Sequence, residues 1–259
     1  MPEILVEKSG PVARIVISHR ERRNAMTYEM FVDISRVFDE LSNDPVTRVI
    51  VLTGDGATFT AGGDISQFKE LRTDSGSERN FVAAVDRALT APTRCNKPVI
   101  ASIRGICMGG GLQLAAGCDV RIAADDAVFR MPAARLGAGY RFEGIQRFVA
   151  LIGASNTADL FFSARKFDAQ EAMRLSFVNR TVAGADLDEV VQSYCELVAE
   201  NAPLTISAAK VAIREALNDP GKRDTAALQT RIDACFGSYD QKEGRLAFME
   251  KRKPQFLGR

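Results

Sequence analysis

Three consecutive glycines, Gly109 to Gly111, stand in "GICMGGGLQLAAGCDV" where an apolar helix is due to begin. Each glycine costs a helix roughly 1 kcal/mol relative to alanine, so a run of three at a helix start needs a reason. Something must come close to the backbone there. The next polar side chain, Gln113, carries no charge. A second turn of the same kind follows the apolar run "VIVLTG": "TFTAGGDISQF" sets Gly62 and Gly63 ahead of a short helix. Both turns leave backbone N–H groups uncovered by side chains. Two such amides converging on one point stabilise negative charge on a carbonyl oxygen, and a helix N-terminus adds partial positive charge. The alternative, two ordinary tight turns packing helix on sheet, stays open at this point. A phosphate loop is disfavoured, since no Lys-Ser/Thr pair follows the glycines, and a GxGxxG fingerprint is missing.

The remaining composition narrows the chemistry. The chain of 259 residues suits one large domain, or one domain with a helical appendage. With 34 basic and 33 acidic residues and no long run of one sign, a nucleic-acid surface is not expected. Cys95, Cys107, Cys118, Cys195 and Cys235 fall at no metal-ligand spacing and read as buried, reduced thiols; no metal is expected. His19 is the single histidine, which excludes a zinc site of several imidazoles and leaves a Ser-His-Asp triad only if His19 is its base. Its setting at a strand end favours loop packing. No apolar run reaches the roughly 20 residues of a bilayer span, and the N-terminus has no signal-peptide pattern. A soluble, cytoplasmic protein with no membrane partner is expected.

Along the chain, residues 3–8 and 12–18 read as a hairpin across "SGP". Thr27 caps an expected helix carrying Met30, Phe31, Ile34, Val37, Phe38 and Leu41 at helical spacing. "RVIVLTG", "PVIASIRG", "CDVRIAA" and "AVFRMP" read as strands, so strands alternate with helices through Gly-rich turns: an α/β pattern. From about residue 155 the pattern reads as almost wholly helical. Residues 71–80, "LRTDSGSERN", read as a mobile loop.

The blocks "RRNAMT", "FTAGGDI", "KPVIASIRGICMGGGLQLAAGCDVRIAADDAVFRMPAARLG", "SARKFDAQEAMRLSFVNRTV" and "EGRLAFMEKRKPQF" resemble, in order, those of the crotonase (enoyl-CoA hydratase/isomerase) superfamily. The resemblance covers nearly the whole chain. It implies a spiral of ββα units over 1–195 and a helical trimerisation region over 196–259. It also implies an acyl-CoA thioester substrate, with coenzyme A entering as part of the substrate and no permanently bound cofactor. The assembly implied is a homotrimer or dimer of trimers. By this resemblance the amides of Gly63 and Gly110 form the oxyanion hole. Asn24, Ala25 and Met26, with Ala61, Asp64 and Ile65, surround the adenine and pantetheine. Phe248 and Lys251 match positions that approach the nucleotide, often from a neighbouring subunit; a solvated tail charge is the alternative for Lys251.

The chain departs from the hydratase pattern at its two glutamates, whose positions are Gln113 and Ala133. Glutamine orients a water without taking its proton, and alanine does neither. Further on stands "YRFEG", with Tyr140, Arg141, Phe142 and Glu143. Arg141 falls where isomerase members carry an acidic base, and Glu143 lies two residues later. Glu143 is read as the proton shuttle or as an ion pair with Arg141, Arg147 or another loop arginine. Tyr140, where decarboxylase members also carry tyrosine, lines the acyl pocket or simply packs. The expected activity is isomerase-type or atypical hydratase chemistry through a thioester enolate. A thioester-binding protein with little catalysis, or a decarboxylase or hydrolase of a carboxylated acyl-CoA, are the alternatives.

Overall fold

A computed structural model of the protein describes residues 1–68 and 75–259. The hairpin forms as expected. Strands β1 (Glu3–Ser9) and β2 (Val12–Ser18) pair antiparallel, Glu3 opposite Ser18. Helix α1 (Tyr28–Asn43) starts at Thr27, whose side chain accepts the Met30 N–H, and buries the six apolar residues that its spacing marked.

The chain then repeats one step. One strand enters a large sheet, the next pairs in a small one, and a helix follows. Strand β3 (Val49–Gly54) precedes a lone bridge between Thr60 and Cys107, and helices α2 (Ile65–Phe68) and α3 (Ser75–Arg94) come after it. Strands β4 (Val99–Ile103) and β5 (Ile106–Met108) lead into α4 (Gly110–Gly117). Strands β6 (Val120–Ala124) and β7 (Val128–Arg130) lead into α5 (Ala133–Leu136) and α6 (Phe142–Ser163), which is interrupted at Gly153. Strand β8 (Lys166–Asp168), α7 (Ala169–Arg174) and β9 (Arg180–Val182) close the series. The large sheet has the order β1-β2-β3-β4-β6-β9 and is parallel after its first pair; the small one is β5-β7-β8.

Alternation along the strands splits the large sheet between two cores. Ala13, Ile15, Ile17, Ile50, Leu52, Val99 and Ala101 face the main core with α1 and α4. Val12, Val49, Val51, Ile100 and Ile122 face the other way, onto helix α8 (Leu187–Ala199). Helices α9 (Pro203–Ala216), α10 (Thr225–Phe236) and α11 (Tyr239–Met249) complete the chain.

Three expectations need amendment. Strands β8 and β9 lie in the stretch read as helical, because three-residue strands are too short to carry a period. Of the loop expected over 71–80, residues 71–74 lie outside the described residues, whereas 75–80 are helical. The boundary expected after 195 falls inside α8, whose Cys195 and Ala199 both pack on the sheet.

Candidate active site

The two glycine turns are laced to each other by backbone hydrogen bonds. Thr60 N–H donates to Ile106 O at 2.9 Å, and Met108 N–H donates to Thr60 O at 3.0 Å. Met26 N–H donates to Gly62 O at 2.7 Å, and Asp64 N–H donates to Met26 O at 2.8 Å. The turns meet at Gly62, which has φ +97; a Cβ there would lie 2.8 Å from Met108 O and 3.1 Å from Gly110 N. The run of three glycines divides into three cases. Gly109 takes φ +53, a conformation side chains disfavour. A Cβ on Gly111 would strike Thr60 Cγ2 at 2.4 Å. A Cβ on Gly110 would meet only ordinary contacts, Leu89 and Met26 at 3.7 Å and Gly63 N at 3.8 Å. Backbone conformation therefore demands Gly109 and packing demands Gly111, while neither demands Gly110.

The Gly63 and Gly110 N–H groups donate to no group among the described residues. Gly110 is the first residue of α4, where a helix leaves its N–H groups unpaired. Both glycines line a cavity of about 240 Å³, walled largely by apolar side chains including Phe31, Val85, Leu89 and Leu136. Four of its lining residues carry the chemical interest. Gln113 and Ala133 both line it, so no carboxylate stands at either position. Tyr140 is held by its hydroxyl donating to Met131 Sδ and by an edge-on contact with Phe161 at 5.0 Å. Burial pushes the Tyr140 phenol pKa up, so the group stays protonated.

The fourth is Asp86 of α3, which sequence reasoning missed. Its carboxyl lies 2.6 Å from Arg141 Nε. Burial raises its pKa, Arg141 lowers it and Glu143 raises it, with a net upward shift. The signal was available: Val82, Val85, Asp86 and Leu89 share one helical face, so this acid lies on an apolar stripe.

The other expected residues sort by access. Ala61 and Ile65 line the cavity, and Ala25 is half-buried. Asn24, expected near coenzyme A, is fully buried; its amide donates to Asp55 O and Thr58 O and accepts the His19 N–H. Met26 is fully buried too, and Asp64 is taken up by Ser66 and Arg22. These three hold the turn. His19 packs in the loop as expected, its Nδ1 2.8 Å from Ala25 O. Four cysteines are buried, and Cys235 is half-buried.

Glu143 is not brought to the cavity. It is exposed in the first turn of α6 and lines an adjoining cavity of about 350 Å³ with Arg94, Arg147 and Arg214. The ion pairs expected of it do not form, for a geometric reason: Arg141 turns to Asp86, and Arg147 donates to Ala116 O at 2.8 Å. Phe248 and Lys251 are exposed at the end of α11, outside the cavity lining.

A family model described as enoyl-CoA hydratase/isomerase matches residues 7–259. The chain belongs to the enoyl-CoA hydratase/isomerase family. Relatives span both halves of that description. A short-chain-enoyl-CoA hydratase of Clostridium acetobutylicum is 33% identical over 96% of this chain and 95% of its own. The peroxisomal Delta(3,5)-Delta(2,4)-dienoyl-CoA isomerase of Arabidopsis thaliana is 28% identical, covering 95% and 92%. The crystal structure of an enoyl-CoA hydratase from Bacillus anthracis superposes with a TM-score of 0.91 at 28% identity, covering 99% of each chain. The fold is thus the crotonase fold, and the family is one of enzymes. No helix among the described residues is long and apolar enough to cross a membrane.

Proposed function

We propose that this family member binds an acyl-CoA thioester and isomerises its double bond through an enolate. The thioester oxygen lies between the N–H groups of Gly63 and Gly110. The observation that carries this reading is the pair of glycines whose N–H groups have no partner among the described residues, from two interlocked turns that line one apolar cavity. Such donors, fixed before the reaction begins, favour the oxyanion over the neutral carbonyl. The absence of a local packing need for glycine at 110 fits an approach by ligand.

Hydration needs a base for water, and Gln113 and Ala133 supply none at the hydratase positions. Isomerisation needs only the oxyanion site and one group that removes and returns a proton. Tyr140, held as a phenol, lines the acyl end and donates rather than accepts protons at neutral pH. Phe248 and Lys251, exposed and outside the cavity lining, approach the nucleotide end of coenzyme A from another copy of the chain, in keeping with an expected trimer.

A panel of 2-enoyl-CoA and 3-enoyl-CoA thioesters tests the activity by following their interconversion. Turnover that Gly110→Pro reduces by about 10²- to 10³-fold, the scale for losing one such donor, supports the reading. Proline fits the first position of a helix, so the variant should fold. Full activity in folded Gly110→Pro removes the oxyanion assignment. The empty glutamate positions also favour a second reading, a thioester-binding protein without turnover. Its signature is a melting temperature raised by crotonyl-CoA, with no interconversion across the panel.

A further inference from the structure

We propose that Asp86 is the catalytic carboxylate that moves the proton in this site. The inference rests on the thioester reading above and adds the residue that the reading lacks. Among the described residues, Asp86 is the one carboxylate in the lining that holds Gly63, Gly110, Gln113 and Tyr140. It lies on the same helical face as Val85 and Leu89, so α3 presents it among apolar neighbours. Arg141 Nε stands 2.6 Å from Oδ2. This ion pair holds the carboxylate beside the cavity. The net rise in the Asp86 pKa, from burial against the Arg141 charge, agrees with this geometry and brings the group closer to the neutral range of a working base.

The step balances without a further reactant. From a 3-enoyl thioester, Asp86 takes a proton from the α-carbon. The C–H electron pair moves into a dienolate whose oxygen rests on the two N–H groups. The protonated Asp86 then returns the proton to the γ-carbon, the carbonyl re-forms, and the double bond now lies between the α- and β-carbons. A single carboxylate loses and regains its starting state.

The competing role is structural: Asp86 as no more than an anchor for Arg141. Wild type, Asp86→Asn, Asp86→Glu, Arg141→Gln and Glu143→Gln are compared for crotonyl-CoA affinity, for 3-enoyl-CoA turnover, and for deuterium uptake into the thioester in D2O. Asp86→Asn should bind within about three-fold of wild type while kcat and deuterium uptake fall by roughly 10²-fold or more. Asp86→Glu, which keeps the carboxylate, should recover part of both. Glu143→Gln should leave turnover and exchange unchanged. If Asp86 only anchors Arg141, Arg141→Gln and Asp86→Asn will lose the same activity, and the proposal fails. Full exchange in Asp86→Asn, or its loss in Glu143→Gln alone, also overturns it. Should Asp86→Asn not fold, Asp86→Glu and Arg141→Gln are compared instead, and equal losses in those two reject the assignment. Wild type that binds thioesters but exchanges no deuterium rejects Asp86 as a proton carrier. Wild type that binds none rejects the thioester reading itself.

Discussion

Adjacent glycines in one turn have different physical duties, and substitution separates them. Gly111→Ala forces a methyl against Thr60 Cγ2 at 2.4 Å and Thr60 O at 3.0 Å. Overpacking of this kind should cost about 1–3 kcal/mol, read as a lower midpoint in urea. Gly110→Ala meets only ordinary contacts and should leave stability within about 0.5 kcal/mol of wild type. It should nonetheless weaken thioester turnover, since the methyl would stand 3.8 Å from the Gly63 N, beside the proposed oxyanion site. Equal destabilisation by both would undo the distinction. Asn24 makes the opposite case, a polar residue that belongs to the scaffold. Its fully buried amide serves Asp55 O, Thr58 O and the His19 N–H. Asn24→Ala leaves all three short of a partner and should cost at least about 2 kcal/mol in chemical denaturation, where a coenzyme A contact would lower only affinity.

At the scale of elements, the end of α11 is fastened by carboxylates. Arg252 donates to both oxygens of Glu243 at 2.6 and 2.9 Å, and the Gln255 N–H adds a third bond at 2.8 Å. Asp240 receives the Leu257 and Gly258 N–H groups at 2.7 and 2.8 Å. The Arg252 hydrogen bonds, then that from Gln255, hold the Glu243 pKa down to about 2 from an ordinary 4.5. A depressed carboxyl pKa stabilises the fold above the unfolded value, and the benefit is lost as pH falls through the folded one. Glu243→Gln should therefore cost stability in full near pH 7. Its gap to wild type should close as pH falls from about 4.5 toward about 2, measured by urea unfolding across that range. A gap that does not change with pH would mean the pair contributes through packing alone.

For the whole molecule, the C-terminal helices leave a large apolar face. Phe236, Phe248 and Met249 are 70%, 82% and 79% exposed beside a cavity of about 940 Å³ between α9, α10 and α11. Patches of this kind mark contact surfaces. With the trimer that the resemblance implies, the 28.2 kDa chain should sediment as three copies. Phe236→Asp with Phe248→Asp should shift it toward the monomer while secondary structure is kept. Sedimentation of wild type as a monomer at micromolar concentration would remove the trimer from the proposal. Loss of thioester affinity along with assembly would tie Phe248 and Lys251 to the neighbouring copy's nucleotide.

The sequence by itself determined the hairpin, the apolar strand runs, the Thr27-capped α1 and the two glycine turns, because each is a local pattern of spacing and chain stiffness. Ordered motifs determined the family as well, and Gln113 and Ala133 were legible as missing acids from residue type alone. Tertiary structure decided what pattern does not encode. The strands β8 and β9 arise from pairing partners far along the chain, not from three residues of propensity. Asn24 and Met26 turned inward because their turn is hydrogen-bonded on every side. The acid that faces the cavity was decided by which helix borders it. Asp86, more than fifty residues before "YRFEG", lines the cavity with the glycine turns and pairs with Arg141, while Glu143 stands exposed on α6 at an adjoining cavity. The apolar stripe of α3 marks Asp86 as facing inward, but its proximity to Arg141 and the glycine turns is set by packing of whole elements.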